Sequence, residues 1–147
     1  MDGLKIWLEG LYIQSNHFSG HIPDSIGNFS KLTDLVLADN QFYGPIPSSL
    51  GKLPQLSNLY LSYNNLQGNI PKNLIAPTVV ECSLSNNNLQ GQIPDVGNLQ
   101  QINYLDLSSN KLTGEIPLFF GHLPAIANCP NGLKLALRKH PHVFWQS

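Results

Sequence analysis

The chain has 147 residues, which suits one domain, and a formal net charge of −1. Its three tail cations, Lys134, Arg138 and Lys139, form too weak a basic cluster to indicate a nucleic-acid partner. No apolar run approaches the roughly 18 residues that a transmembrane helix needs, so we expect no membrane insertion by this chain. The N-terminus, interrupted by Asp2 and Glu9, lacks the apolar stretch of a secretory signal.

One motif, Asn-x-Leu/Phe-x-Gly-x-Ile-Pro, occurs five times. Its asparagines step by 24, 24, 23 and 23 residues; they are Asn16, Asn40, Asn64, Asn87 and Asn110. Self-similarity at such a period is typical of a solenoid, in which each repeat packs only on its neighbours. The sequence therefore predicts a β-rich α/β solenoid of about five repeats.

A short apolar-polar-apolar segment precedes each of these asparagines. The segments are Leu11-Tyr-Ile13, Leu35-Val-Leu37, Leu59-Tyr-Leu61, Cys82-Ser-Leu84 and Leu105-Asp-Leu107. Their period of two predicts strands with one buried face, which would pair in parallel into one sheet. Cys82 replaces a leucine of the other repeats, so we expect a small buried hydrophobe rather than half of a disulfide.

The asparagines themselves predict a structural ladder. An Asn amide offers two donors and a carbonyl acceptor, which can satisfy backbone groups left free where each coil turns. A solvated turn residue is the alternative for any single Asn, but five in register favour the ladder. If the ladder forms, Asn64→Ala should cost ~1–3 kcal/mol.

The Gly and Ile-Pro of the motif predict how each coil returns. Glycine permits a bend that a Cβ would obstruct, and proline disfavours helix at the residue before it. We therefore expect an extended or irregular return side, with short helical turns at most.

Residues that alternate with the buried ones should point from the sheet onto a concave face. This face carries carboxylates and tyrosines, and no Lys or Arg lies among the mapped residues. Exposed tyrosines favour interface use, so we predict a site for a basic or neutral peptide; a merely solvated sheet face is the alternative. The predicted ligand-binding residues are Tyr12, Asp34, Val36, Asp39, Asn58, Tyr60, Tyr63, Glu81, Tyr104 and Asp106.

Enzyme and metal constellations are not evident. His17 and His21 flank Gly20 in a turn, which does not provide metal-ligand spacing. The concave Asp34 and Asp106 should lie three strands apart with no His between them. The sequence thus predicts no catalytic residues, no metal site and no cofactor.

The repeat pattern fades after Ile126. We expect a partial repeat or poor cap over residues 1–8, repeats over 9–126 and a non-repeat tail over 127–147. Within the tail, residues 133–140 could form a short helix that caps the last coil, before Pro141. The alternative, which we favour, is a disordered tail; uncapped ends would then make the isolated chain marginally stable.

The pattern LxxLxLxxNxLxGxIPxxLGxL resembles the plant-specific class of leucine-rich repeat, over about residues 4–126. In detail it resembles the ectodomains of plant leucine-rich-repeat receptor-like serine/threonine kinases, notably those that sense microbial patterns. The resemblance implies a right-handed superhelix with a parallel concave sheet. It also implies an extracellular module at the plasma membrane or apoplast that binds a peptide or protein, with a co-receptor of the same repeat class as a further partner.

The family's paired-cysteine caps, transmembrane helix and kinase motifs have no counterpart here, so the resemblance implies no enzyme activity and suggests a truncated ectodomain. Two alternatives stay open: a secreted inhibitor of microbial cell-wall-degrading enzymes, and a non-functional truncated gene product. Asn28-Phe-Ser30 is the one glycosylation sequon, and we expect Asn28 at the edge of a coil, off the concave face.

Overall fold

The computed structural model describes residues 7–94 and 101–114 and the backbone of residues 134–136. In this part of the chain, one strand from each coil joins a six-stranded parallel sheet, here called the concave sheet. Its strands, in spatial order, are β1 (Gly10–Tyr12), β3 (Asp34–Val36), β5 (Asn58–Tyr60), β7 (Glu81–Ser83), β9 (Tyr104–Asp106) and β11 (Lys134–Ala136). The repeat motif is thus confirmed as a parallel-strand solenoid.

A second parallel sheet runs along the segment after each ladder asparagine, here called the flanking sheet. Its strands are β2 (Ser19–Gly20), β4 (Gln41–Gly44), β6 (Asn65–Asn69), β8 (Asn88–Gln92) and β10 (Lys111–Thr113). These strands lie before the Ile-Pro of each repeat, and their hydrogen bonding between coils was not predicted. It arises because stacked repeats bring equivalent extended segments to strand spacing, about 4.8 Å.

The core lies between these two sheets and the return side. The strand leucines Leu35, Leu59 and Leu105 are almost wholly buried, and Cys82 takes their place on β7 with no measurable exposure. Burial and the nearby Asp106 raise the pKa of the Cys82 thiol to about 12. The thiol is free and buried, and it acts as the expected small hydrophobe.

Short 3-10 helices open the return side in two coils. They span Asp24–Asn28 and Ser48–Lys52, and each follows the proline of an Ile-Pro pair. Ile26 and Leu50 are the buried residues of these turns. The short helical turns predicted from the sequence are confirmed at these two positions.

The asparagine ladder joins coils at four of the five predicted positions, whereas the amide of Asn16 bonds carbonyls of its own coil. Nδ2 of Asn64 lies 3.0 Å from the Leu37 carbonyl of the preceding coil and 3.2 Å from the Leu61 carbonyl of its own. Its Oδ1 accepts a hydrogen bond from the Phe42 backbone N–H of the preceding coil at 3.0 Å. Each bridging asparagine therefore joins two coils. The same bonding recurs at Asn40, Asn87 and Asn110.

The motif glycines adopt the left-handed backbone that the sequence predicts for them. Gly44 has φ +81° and Gly68 has φ +83°. An added Cβ would lie 2.8 Å from the His21 ring at Gly44, whereas at Gly68 the nearest atom would be 3.9 Å away. The left-handed backbone is therefore common to the motif glycines, whereas close contacts that an added Cβ would make occur only in particular coils.

The tail differs from both expectations where the structure describes it. Residues 134–136 form β11, which pairs in parallel with β9, so the favoured disordered tail and the short helix over 133–140 are both wrong for these three residues. The unpaired edge of β9 offers backbone donors and acceptors that an adjacent strand can satisfy. The predicted end of the repeats at residue 126 and the rest of the tail lie outside the described residues.

Candidate ligand-binding face

The concave sheet carries two rows of outward residues, and strand pairing fixes both. Row one consists of Tyr12, Val36, Tyr60, Ser83 and Asp106. Row two consists of Gly10, Asp34, Asn58, Glu81 and Tyr104. Each residue pairs with the next across neighbouring strands, so the sequence placed eight of the ten predicted binding residues in the register that the structure shows.

Asp39 and Tyr63 complete the predicted set, and they lie beyond the strands. Each immediately precedes a ladder asparagine, and both have positive φ, 57° and 54°. Ser15, Asn86 and Ser109 occupy the same position in the other coils with the same backbone. Both predicted residues are exposed, Tyr63 to 61%, so their side chains border the concave face at the turn.

Asp34 is held by hydrogen bonds within its row. Its Oδ1 accepts from the Asn58 amide at 2.6 Å, and its Oδ2 accepts from the Thr33 hydroxyl at 2.5 Å. These two donors, followed by the Tyr12 hydroxyl, hold the pKa of the Asp34 carboxyl below its usual range. Asp34 is thus a fixed negative charge at neutral pH.

A second carboxylate lies two strands further along the row. Glu81 accepts a hydrogen bond from the Tyr60 hydroxyl of the neighbouring strand. Burial, followed by this hydrogen bond and the Glu81 charge, raises the pKa of Tyr60 well above its usual value. The phenol therefore stays protonated and acts as a donor at neutral pH.

Asp106 is fixed from its own strand end. Its Oδ1 accepts from the Ser108 backbone N–H at 3.0 Å, and the Tyr104 hydroxyl approaches its Oδ2 at 3.4 Å. Burial and the Asp106 charge raise the pKa of Tyr104. The concave face thus presents carboxylates beside protonated tyrosines.

A hollow of about 420 Å³ opens on the concave face over β5, β7 and β9. Its lining combines tyrosines, an aspartate and small polar residues: Tyr60, Ser62, Tyr63, Ser83, Ser85, Asn86, Tyr104, Asp106, Ser108 and Ser109. Three of its serines are more than nine-tenths buried, namely Ser62, Ser83 and Ser85. Sequence reasoning mapped these serines to the face but did not single them out, since a serine on a strand usually indicates only a solvated position.

The lysines whose side chains the structure describes lie away from both rows. Lys31 and Lys72 are in loops, Lys52 is in a 3-10 helix and Lys111 is on the flanking sheet. The sixth strand changes the expected charge pattern in one respect: Lys134 takes the register position next to Tyr104. The residues mapped from the sequence include no cation, and the unpredicted strand β11 adds a lysine position beside them.

The remaining predicted residues lie elsewhere. Asn28 is exposed at the end of its 3-10 helix, on the return side, as expected. His21 packs edge-on against Tyr43, with ring centroids 4.8 Å apart. Within residues 7–94 and 101–114, no group of His, Cys, Asp or Glu is arranged to hold a metal ion. In the same ranges, no helix is long and apolar enough to cross a membrane.

Comparison with known protein families identifies the repeat. A leucine-rich repeat model matches residues 7–66, and a second leucine-rich repeat model matches residues 101–123. No curated protein sequence matches the chain.

Solved structures of plant receptors match most of the chain. The Arabidopsis receptor kinase HAESA, solved with the peptide hormone IDA and the co-receptor SERK1, is 48% identical over 83% of this chain, with a TM-score of 0.78. The plant peptide hormone receptor RGFR1, solved with RGF2, is 34% identical over 89%, with a TM-score of 0.77. This chain spans only 21% of the length of each. The BIR2 ectodomain from Arabidopsis thaliana is 33% identical over 89% of this chain and 69% of its own, with a TM-score of 0.73.

Proposed function

We propose, because this chain belongs to the leucine-rich repeat proteins of the plant receptor-kinase ectodomain type, that its concave face binds a peptide or protein ligand. The observation that carries this proposal is the makeup of the face itself. Two rows of residues in strict register present fixed carboxylates and tyrosine hydroxyls, while the leucines of the same strands are buried. Such a surface can hydrogen-bond an extended peptide and add aromatic contact area.

The similar structures support a ligand of this class. HAESA was solved with a peptide hormone and a co-receptor, and RGFR1 with RGF2. By the same likeness we propose an extracellular location, a role in immune or developmental perception and a leucine-rich-repeat co-receptor as a second partner. The likeness to receptor ectodomains favours this function over inhibition of a microbial enzyme. Binding, rather than catalysis, is what the described face offers.

The size of the face limits the affinity to be expected. The six strands of the concave sheet span only about 24 Å at the usual strand spacing. Stable complexes bury about 800 Å² on each partner, which requires a larger footprint than one narrow sheet. We therefore expect weak binding by this chain alone.

Asn28 fits the same extracellular setting. It is exposed on the return side, and the exposed Ser30 completes its sequon. A glycan there would leave the concave face accessible. Secretion of the full chain from plant cells should then give a mass shift that a glycosidase removes and that Asn28→Gln abolishes; a secreted chain without the shift would contradict this.

A selection experiment tests the binding proposal. The full chain would be immobilised and offered a random peptide library, and each selected peptide would be assayed against a Tyr60→Ala, Asp34→Ala double variant. We expect at least about tenfold weaker binding, since a tenfold change corresponds to about 1.4 kcal/mol and two hydrogen-bonding side chains are lost. Lys72→Ala, an exposed change away from the face, is the matched control. Peptides that bind the double variant and the parent chain equally would contradict the proposal.

A further inference from the structure

We propose that the hollow over β5, β7 and β9 is a subsite for an arginine side chain of the ligand. This inference rests on the proposed peptide-binding function and names the chemistry of one ligand position. The hollow lies where row one passes from Tyr60 through Ser83 to Asp106. An aromatic ring thus stands on one side of a small residue, and a carboxylate stands on the other.

The strand spacing gives the subsite a suitable width. Tyr60 and Asp106 are two strands apart, which is about 9.6 Å at the usual spacing. A cation interacts with a ring within about 6 Å of its centroid and with a carboxylate within about 4 Å. One cationic group placed over Ser83 can therefore contact both. A larger residue than serine at that position would fill the space.

The carboxylate is positioned before any ligand arrives. Asp106 accepts a backbone hydrogen bond from Ser108 at 3.0 Å, which fixes its orientation while other lone pairs stay available. Glu81, one strand away, adds negative charge and holds the Tyr60 hydroxyl. Guanidinium is the cation that suits this arrangement, because its planar fork pairs with carboxylates and its face stacks on aromatic rings.

Serines form the floor of the hollow. Ser62 is 8% exposed and lines the hollow. The neighbouring Ser83 and Ser85 hydroxyls lie 3.4 Å from each other. Arginine carries five N–H donors and no acceptor. The serine oxygens can therefore accept hydrogen bonds from the N–H groups that the Asp106 carboxylate does not bind.

The charge distribution supports a cation at this place. On the five strands β1, β3, β5, β7 and β9, the two rows carry the carboxylates of Asp34, Glu81 and Asp106 and no lysine. Lys134 takes the row-two position on β11, at the edge of the sheet beyond Tyr104. An incoming arginine therefore meets three carboxylates on the strands that form and precede the hollow. A carboxylate ligand would meet repulsion from the same side chains.

A pair of peptides that differ by one group tests the subsite. The probes are acetylated, amidated Gly-Ser-Gly-Arg-Gly-Ser-Gly and its counterpart with citrulline, which has the same shape and no charge. Each is titrated into the isotope-labelled full chain, and amide shifts are followed by NMR. We expect shifts centred on β5, β7 and β9, and at least about tenfold weaker binding of the citrulline peptide. Asp106→Asn should remove this preference, whereas Asp24→Asn, an exposed change in a 3-10 helix of the return side, should keep it.

The outcomes separate this inference from the proposed function. Equal binding of the two peptides at the hollow, or an unchanged preference in Asp106→Asn, would overturn the arginine subsite and leave peptide binding intact. Shifts confined to other surfaces, or no shifts up to the solubility limit of the peptide, would also overturn it. Failure of the library selection, in contrast, is what would count against peptide binding as such. A thermal melt of each variant confirms that it is folded before its binding is compared.

Discussion

Removal of the Asn64 side chain is the sharpest test of the ladder. Asn64 is 8% exposed, and it bonds groups of two coils at once. Substitution by alanine leaves the Phe42 N–H without its side-chain partner. The three carbonyls that Asn64 bonds keep another donor: Leu37 accepts from the Asn40 amide at 3.2 Å and Leu61 from the Asn87 amide at 2.9 Å. The Ser62 carbonyl accepts from the Asp39 N–H at 2.9 Å.

The magnitude follows from these groups. A buried group left unsatisfied costs about 1–3 kcal/mol, and water that enters the space vacated by the amide offsets part of the total. We expect Asn64→Ala to lower the free energy of unfolding by about 2 kcal/mol, the middle of the range expected from the sequence. For a chain of this length that corresponds to a fall in Tm of about 4 to 8 °C.

Asn16 is the matched control for a thermal melt or a urea titration. It is exposed, and its amide bonds only carbonyls of its own coil, Ile13 and Gln14. Asn16→Ala should therefore cost about 1 kcal/mol or less, the usual net value of one hydrogen bond. If Asn64→Ala melts with the parent chain, or loses no more stability than Asn16→Ala, the ladder does not join the coils as described.

Three further predictions concern the bends, the charges and the core. Gly68→Ala should cost about 1–2 kcal/mol of unfolding free energy, because its backbone is left-handed. Gly44→Ala should cost more, because a Cβ there would also meet the His21 ring. Equal urea midpoints for the two variants would refute this. The Asp34 carboxylate stabilises the folded chain, because its pKa is lower in the folded state than the unfolded value of about 3.8. This stability is complete above the pKa of the unfolded chain and is lost as the pH falls through the pKa of the folded chain. The Tm difference between the parent and Asp34→Asn should therefore shrink in acid, and a constant difference would contradict the prediction. Cys82→Ser should cost about 1–3 kcal/mol in a urea titration, because it buries a hydroxyl at a fully buried position, and a neutral result would mean that the hydroxyl finds a partner.

The repeat made much of this fold predictable from the residues. Alternation in segments such as Leu35-Val-Leu37 identified the buried face, and the recurring Asn identified the corner. Because each coil repeats the same local solution, aligning the repeats also gave the register, for example Asp34 opposite Asn58. The ladder bonds of Asn64 follow from the same alignment.

The features that escaped prediction depend on neighbouring coils. The segment Asn65–Asn69 contains a glycine and polar residues and has little strand propensity of its own, yet it pairs with Asn88–Gln92 because stacking presents the two at strand distance. Residues 134–136 likewise pair with the edge of β9, although the sequence favoured a disordered tail and offered a short helix as the other interpretation. Tertiary context overrode local propensity in both cases.

The sequence by itself determined the solenoid, its buried leucines, its asparagine ladder and the family to which it belongs, because each of these is written once per repeat. Only the tertiary structure decided where the concave face is hollow. That depends on a residue that breaks the repetition: Ser83 stands between Tyr60 and Asp106, and the space over it exists only because three strands are adjacent. The residues that the repeats share determine the scaffold, whereas residues that differ between neighbouring repeats form the candidate subsite.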